Sequence, residues 1–162
     1  IKSKDNSQPP TVRLGARGIV LNSAGEVALI HKTLKNEYKL PGGGIDEGED
    51  PAAAFIRECR EELGCVVEII EEFEYKSQEN FKQLSFVYVA KKVDELDSRS
   101  LTDKEKDEGT EFVWLPKLQA LEVMKRSLDS LKQSKYDSIY RTKFMVLRDI
   151  RILEYYSNSV MR

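Results

Sequence analysis

The stretch GGIDEGEDPAAAFIRECREELGC, Gly43 to Cys65, carries the most chemistry in this chain. An acidic turn, Asp46 to Asp50, leads into Pro51 and three alanines, and Gly64 follows. Proline suits a first helical position and glycine a helix stop, so a helix is predicted over Pro51 to Leu63. Its Ala52, Ile56, Cys59 and Leu63 form one apolar stripe that should face a core. Beside that stripe Glu58, Glu61 and Glu62 fall at i, i+3 and i+4 and project together. Two unit charges about 4 Å apart repel by on the order of 4 kcal/mol at an effective dielectric of 20, so the cluster calls for a cation. Arg57 is one compensator and a divalent metal is the other. Oxygen-only ligands select Mg²⁺ or Mn²⁺ over Zn²⁺. The glycines before the helix expose backbone carbonyls and let a phosphate-bearing substrate approach closely. The bland alternative is a solvated Glu/Arg face with modest ion pairs.

Spacing decides between them. The stretch resembles the Nudix box, G-x5-E-x7-R-E-U-x-E-E-x-G-U with U aliphatic, and matches it at Gly43, Glu49, Arg57, Glu58, Glu61, Glu62 and Gly64. Seven fixed positions at roughly 6% background each give a chance match on the order of 10⁻⁹ per start. Cys59 and Cys65 replace the two aliphatics, a packing change because a buried thiol is a small apolar group. The resemblance extends to the Tyr-x-Leu-Pro-Gly-Gly approach at Tyr38 to Gly43 and to Phe112 to Pro116 followed by a helix, and accounts for about Arg13 to Leu131.

The resemblance implies an α/β Nudix fold, a mixed β-sheet sandwiched between α-helices, here with an extended C-terminal helix. It also implies a metal-dependent hydrolase of a diphosphate linkage in a nucleoside di- or triphosphate derivative, with Mg²⁺ or Mn²⁺ as cofactor. Glu58 and Glu62 would be the principal metal ligands, Glu61 would share a further ion, and the carbonyl of Gly42 or Gly43 would complete the shell. Arg57 and Glu49 would form the ion pair that orients the carboxylates. The base is either Glu58 or a glutamate six residues before the last strand's tryptophan, an offset that from Trp114 lands on Glu108, with Glu111 as its neighbour. Compact size and that offset point to a MutT-like nucleotide pyrophosphatase acting on oxidised nucleotides. The alternatives are a nucleotide-sensing module without turnover and a hydrolase of another nucleoside diphosphate derivative, such as a sugar nucleotide.

The remaining sequence frames this site. Strands are predicted at Val12 to Asn22, Glu26 to His31, Val66 to Tyr75, Phe81 to Val93 and Glu111 to Leu115. Asp94 to Asp107 reads as a solvated loop. Leu121, Met124, Leu128 and Leu131 mark one helix, and Tyr136 to Tyr156 a longer one. The organisation is a flexible leader over 1–11, one domain over 12–156 and a short tail over 157–162. Arg13 and Arg17, on one strand face, and Tyr38 are candidates for substrate binding. The lone His31 reads as structural.

Composition bounds the partners. The chain has 162 residues, 26 basic and 28 acidic side chains and a net charge of −2, which offers no global attraction for duplex nucleic acid or an anionic membrane. With no bilayer-length apolar run and only two cysteines outside any Cys-x-x-Cys pair, a cytoplasmic protein with reduced thiols is expected. A small-molecule nucleotide is the expected partner, and the long last helix leaves a homodimer open.

Overall fold

The structure, a computed structural model, describes residues 13–76 and 83–160. The predicted leader and the start of the strand predicted from Phe81 lie outside the described residues. The elements in chain order are β1 (Arg13–Leu21), β2 (Val27–Lys32), β3 (Glu37–Lys39), β4 (Gly42–Gly44), α1 (Pro51–Leu63), β5 (Cys65–Lys76) and β6 (Gln83–Glu95). They continue with α2 (Asp103–Asp107), β7 (Thr110–Leu115), α3 (Lys117–Ser127) and α4 (Ile139–Val160).

The strands alternate their apolar side chains between two buried layers, as period-2 geometry requires of a sheet covered on both faces. Ile19, Leu29, Val87 and Val89 point one way, onto Met124 of α3 and Val146, Ile150 and Leu153 of α4. Val20, Ala28, Ile30, Tyr88 and Ala90 point the other way, onto Ala54, Phe55, Cys59 and Leu63 of α1. The sheet is thus sandwiched between α1 and the α3–α4 pair. Its order is β3-β2-β1-β6-β5, with β4 on β1 and β7 on β2. Among the described strands only β1–β6 is parallel, and the other pairings are antiparallel, so the sheet is mixed.

Helix α1 forms as its ends dictate. The Asp50 carboxylate accepts the Ala53 N–H, Pro51 occupies the first turn, and Gly64 closes the helix at φ +66°. Cys59 and Cys65 are free and buried, and burial pushes both thiols up, Cys65 to about 11, so they pack as small apolar groups.

The sequence reading needs three adjustments. A short helix, α2, interrupts the loop predicted over Asp94 to Asp107, because Thr102 and Glu105 form a reciprocal capping box. Helix α3 ends at Ser127 in a 3₁₀ turn over Leu128–Ser130, which leaves Leu131 beyond the helix. The last helix starts at Ile139, after Ser134 and Gln133 tie up the Tyr136, Asp137 and Ile139 amides, and it runs to Val160.

Gly18 shows how tightly α1 presses on the sheet. A Cβ there would lie 2.1 Å from the Tyr88 carbonyl oxygen and 2.9 Å from the Phe55 ring. Gly18→Ala should therefore cost about 2 kcal/mol or more through overpacking against backbone, read as a lowered midpoint in chemical denaturation. An unchanged midpoint would contradict this packing.

Candidate active site

β4 is a strand made only of glycine, and it brings the helix carboxylates to the sheet. It pairs antiparallel with β1, Gly42 opposite Arg17 and Gly43 opposite Ala16. Gly42 adopts φ +144°, and a Cβ there would meet the Ala16 carbonyl oxygen at 2.4 Å, so no other residue fits. A Cβ on Gly43 would meet Glu58 Oε2 at 2.5 Å. The bare backbone is therefore the surface against which the Glu58 carboxylate rests.

Glu62, one helical turn on, is 2% exposed and accepts the Gly42 N–H at 2.9 Å. Burial, with repulsion from Glu58, pushes its carboxyl up to about 7, against the pull of Lys39 and the Gly42 amide. Burial raises Glu58 as well, opposed by Lys39 and Arg57. Lys39 Nζ lies 3.7 Å from Glu62 and donates to the Gly42 carbonyl at 3.1 Å.

Arg57 organises the outer edge. Its guanidinium holds Glu49 with two bonds, at 2.8 and 3.0 Å, and reaches Glu61 at 3.2 Å and Glu58 at 3.3 Å. Those bonds, with the Asp46 N–H, take the Glu49 carboxyl down to about 2, and Arg57 rises in turn, chiefly through Glu49.

Glu58, Glu62 and the three glycines form one wall of an open cleft of about 290 Å³. Its other walls come from β1, the Lys32 to Lys39 hairpin, Gln83, α2 and α4. Eight basic and five acidic side chains line it, so the cleft is locally positive in a chain of net charge −2. Arg17 is buried and bonds the Ser85 hydroxyl at 3.0 Å; burial, followed by repulsion from Arg148, holds its guanidinium down to about 9. Arg148 comes from α4.

Several expected site residues meet here and others do not. Arg13, Arg17, Gly42, Gly43, Glu58 and Glu62 line the cleft. Glu61 and Glu49 stay on the Arg57 side, outside the lining. Tyr38 is not brought to the cleft: period-2 alternation in β3 sends Glu37 and Lys39 inward, and the Tyr38 ring stacks on His31 at 3.9 Å. Glu108 is 2% exposed and does not itself line the cleft; it is bound by two residues that do, Lys32 at 2.9 Å and Lys35 at 3.2 Å. One turn earlier, Glu105 does line the cleft and lies near enough to raise both Glu58 and Glu62. Glu105, Lys39 and Arg148 are the cleft residues that the sequence reading did not single out. The Thr102-x-x-Glu105 spacing was the available signal for the first, as a capping box that fixes the side chain's position.

The donor set suits a hard divalent cation: buried Glu62 and half-buried Glu58, both raised by burial, a peptide carbonyl beside them, and neither imidazole nor thiolate in the lining. Among the described residues no three His, Cys, Asp or Glu side chains converge to enclose an ion, and Lys39 and Arg57 hold the carboxylates instead.

Residues 11–137 match the NUDIX domain family model. An RNA pyrophosphohydrolase of Sulfurovum sp. is 50% identical over 50 residues, which cover 30% of this chain and 32% of that protein. An 8-oxo-dGTP diphosphatase of Haemophilus influenzae is 34% identical over 68 residues, 38% of this chain and 50% of that protein. The matches thus span about a third to a half of these relatives. A solved UDP-X diphosphatase superposes with TM-score 0.52 at 14% identity, over 78% of this chain and 68% of that one. The NUDIX domain of Shewanella oneidensis NrtR, solved with ADP ribose, gives 0.51 at 15% identity, over 75% and 82%. Fold, box geometry and a family match over most of its length agree that the chain belongs to the Nudix family.

Proposed function

We propose that this protein is a metal-dependent pyrophosphohydrolase that cleaves a phosphoric anhydride of a nucleoside di- or triphosphate derivative. The observation that carries the reading is the polarity of the cleft, with the Glu58 and Glu62 carboxylates at one wall and a majority of basic side chains among the charged residues of the others. A polyphosphate alone is drawn to the basic walls and opposed at the carboxylate wall; a divalent cation on the carboxylates makes that wall attractive as well. Glu58, Glu62 and the Gly43 carbonyl would hold Mg²⁺ or Mn²⁺. When bound, the ion supplies neutralisation of the diphosphate and a more acidic water. The protein's own groups do the rest: Arg57 and Glu49 fix the helix carboxylates, Arg17 and Lys39 meet phosphate oxygens, and Glu105 takes the water's proton. Glu105 replaces Glu108 as the later glutamate, because Glu108 is buried under two lysines.

The narrower substrate is an oxidised nucleoside triphosphate, supported by the 8-oxo-dGTP diphosphatase match. A second reading, an RNA 5′-polyphosphate, is favoured by the RNA pyrophosphohydrolase matches together with the locally basic cleft. Turnover of purified protein with Mg²⁺ or Mn²⁺ on 8-oxo-dGTP, sugar nucleotides, ADP-ribose and 5′-triphosphorylated RNA separates them. Binding of these compounds without hydrolysis of any would make the protein a nucleotide sensor.

Two further outcomes test the residue roles. Glu105→Gln keeps the capping box and should lower kcat by about 10²- to 10⁴-fold, whereas Glu108→Gln should lower the unfolding midpoint and leave kcat within a few-fold. The reverse pattern would return the base to Glu108. Glu62 gives the pH test. Its carboxyl titrates near 7 in the fold against an ordinary 4.5, so its contribution to stability is full below about 4.5 and is lost as pH rises through 7. The metal-free protein should therefore melt progressively lower across that window, Glu62→Gln should flatten the trend, and Mg²⁺ at pH 8 should raise the melting temperature of the wild type only. Equal Mg²⁺ stabilisation of both proteins would remove Glu62 from the metal shell.

A further inference from the structure

Helix α4 lies outside the stretch that matches the family model, yet it forms one wall of the cleft. Its Arg148 is 3% exposed and is aimed there rather than at solvent. Two of its three guanidinium nitrogens are fixed: Nε donates to Asp149 Oδ1 at 2.8 Å and one terminal nitrogen to Gln83 Oε1 at 2.7 Å. The other terminal nitrogen is buried with no hydrogen-bond partner among the described residues. A buried, unsatisfied donor on a charged group costs several times a solvated one, so its persistence at a cleft wall marks a place for an acceptor.

The neighbours say what the acceptor is. Arg17, also buried, has the Ser85 hydroxyl as its direct partner among the described residues, and it lies near enough to Arg148 for the two guanidiniums to repel. Asp149 is already committed, with its second oxygen accepting the Leu40 N–H at 3.0 Å. Asp149 bonds Arg148 directly and attracts Arg17 electrostatically, and both arginines belong to the cleft lining. An anion with several oxygens and a planar donor fork facing it satisfies both; phosphate has that chemistry. Arg17 also interacts electrostatically with Glu58 and Glu62, and so stands between the box carboxylates and Arg148. Among the described residues no aromatic ring lines the cleft, so charge rather than base stacking dominates recognition there.

We propose that Arg148 and Arg17, with Gln83 holding the Arg148 fork, form a subsite for a phosphate beyond the scissile pair, and that the substrate is an oligophosphate of at least three phosphates. This rests on the diphosphate-hydrolase reading for the order of the phosphates along the cleft. The subsite itself needs no metal. A diphosphate ester reaches from the carboxylates to Arg17, and a third phosphate reaches the free donor of Arg148. The family-wide box supplies the cleavage site, and the C-terminal helix of this chain measures the length of the phosphate chain.

The test is calorimetric titration of inorganic triphosphate and of pyrophosphate into the full protein in EDTA. Wild type should bind triphosphate about 10-fold or more tighter than pyrophosphate, and Arg148→Gln should abolish that difference, a loss set by one hydrogen bond to a charged group. Arg148→Lys should recover part of it. Equal binding of the two anions by wild type, or a preference unchanged in Arg148→Gln, overturns the subsite. Should the Gln variant fail to fold, the wild type answers alone. Its Arg17 and Arg148 Nε–H resonances should shift on triphosphate addition and stay put on pyrophosphate at Arg148; an unmoved Arg148 signal with triphosphate bound overturns the proposal. Triphosphate selectivity without turnover of any nucleotide derivative keeps the subsite and rejects the hydrolase reading. Turnover without Arg148-dependent selectivity does the reverse.

Discussion

The interaction on which the rest depends is the seating of two helix carboxylates against a strand that has no side chains. Glu58 rests on Gly43, and Glu62 takes the Gly42 amide. Neither glycine has room for a Cβ, and Lys39 at Glu62 and Arg57 at Glu58 offset the burial of the two carboxylates only in part. Burial raises both carboxyls. The fold accepts a cost there that apolar residues would avoid, and such a cost marks a place where charge is to be supplied from outside.

The packing around that seat explains why it holds. Helix α1 is capped at both ends, pinned through Phe55 against Gly18, and clamped at its outer edge by the Arg57–Glu49 pair. Arg57 bonds Glu58 and Glu61 from outside the cleft lining. On the opposite side α4 packs Val146, Ile150 and Leu153 against the sheet and brings Arg148 to the cleft wall, with Asp149 behind it bonded to Arg148 and to the Leu40 N–H. Helix α1 thus brings Glu58 and Glu62, and α4 brings Arg141 and Arg148, to one cleft that β1 lines with Arg13 and Arg17.

Much of this was legible in the sequence. Pro51, Gly64 and the spacing from Gly43 to Cys65 defined α1 and its carboxylates, because local backbone chemistry and helical period determine both; its core face centres on Ala54, Phe55, Cys59 and Leu63, with the expected Ala52 and Ile56 only partly buried at its edge. Strand alternation likewise gave the sheet. What stayed hidden depended on tertiary placement. Counting back from Trp114 reached Glu108, but the capping box at Thr102 inserts a helical turn, and that turn delivers Glu105 to the cleft and Glu108 to the lysines beneath. Tyr38, adjacent to the Leu-Pro-Gly-Gly approach, is turned away by strand alternation. Arg148 was invisible to an apolar-stripe reading because it is a charge on a buried helix face. Net charge also misled in scale: −2 for the whole chain conceals a cleft in which basic side chains outnumber acidic ones.

The central claim is that the Glu58–Glu62 seat takes a divalent cation at the end of a phosphate-binding cleft. Electron paramagnetic resonance of Mn²⁺ titrated into the wild type and into a Glu58→Gln, Glu62→Gln double variant addresses it directly. The account predicts one protein-bound Mn²⁺ in the wild type that acquires ³¹P hyperfine coupling when a nucleoside triphosphate is added, and no such signal in the double variant. Undiminished Mn²⁺ binding in the double variant, or bound Mn²⁺ without phosphorus coupling, would contradict it.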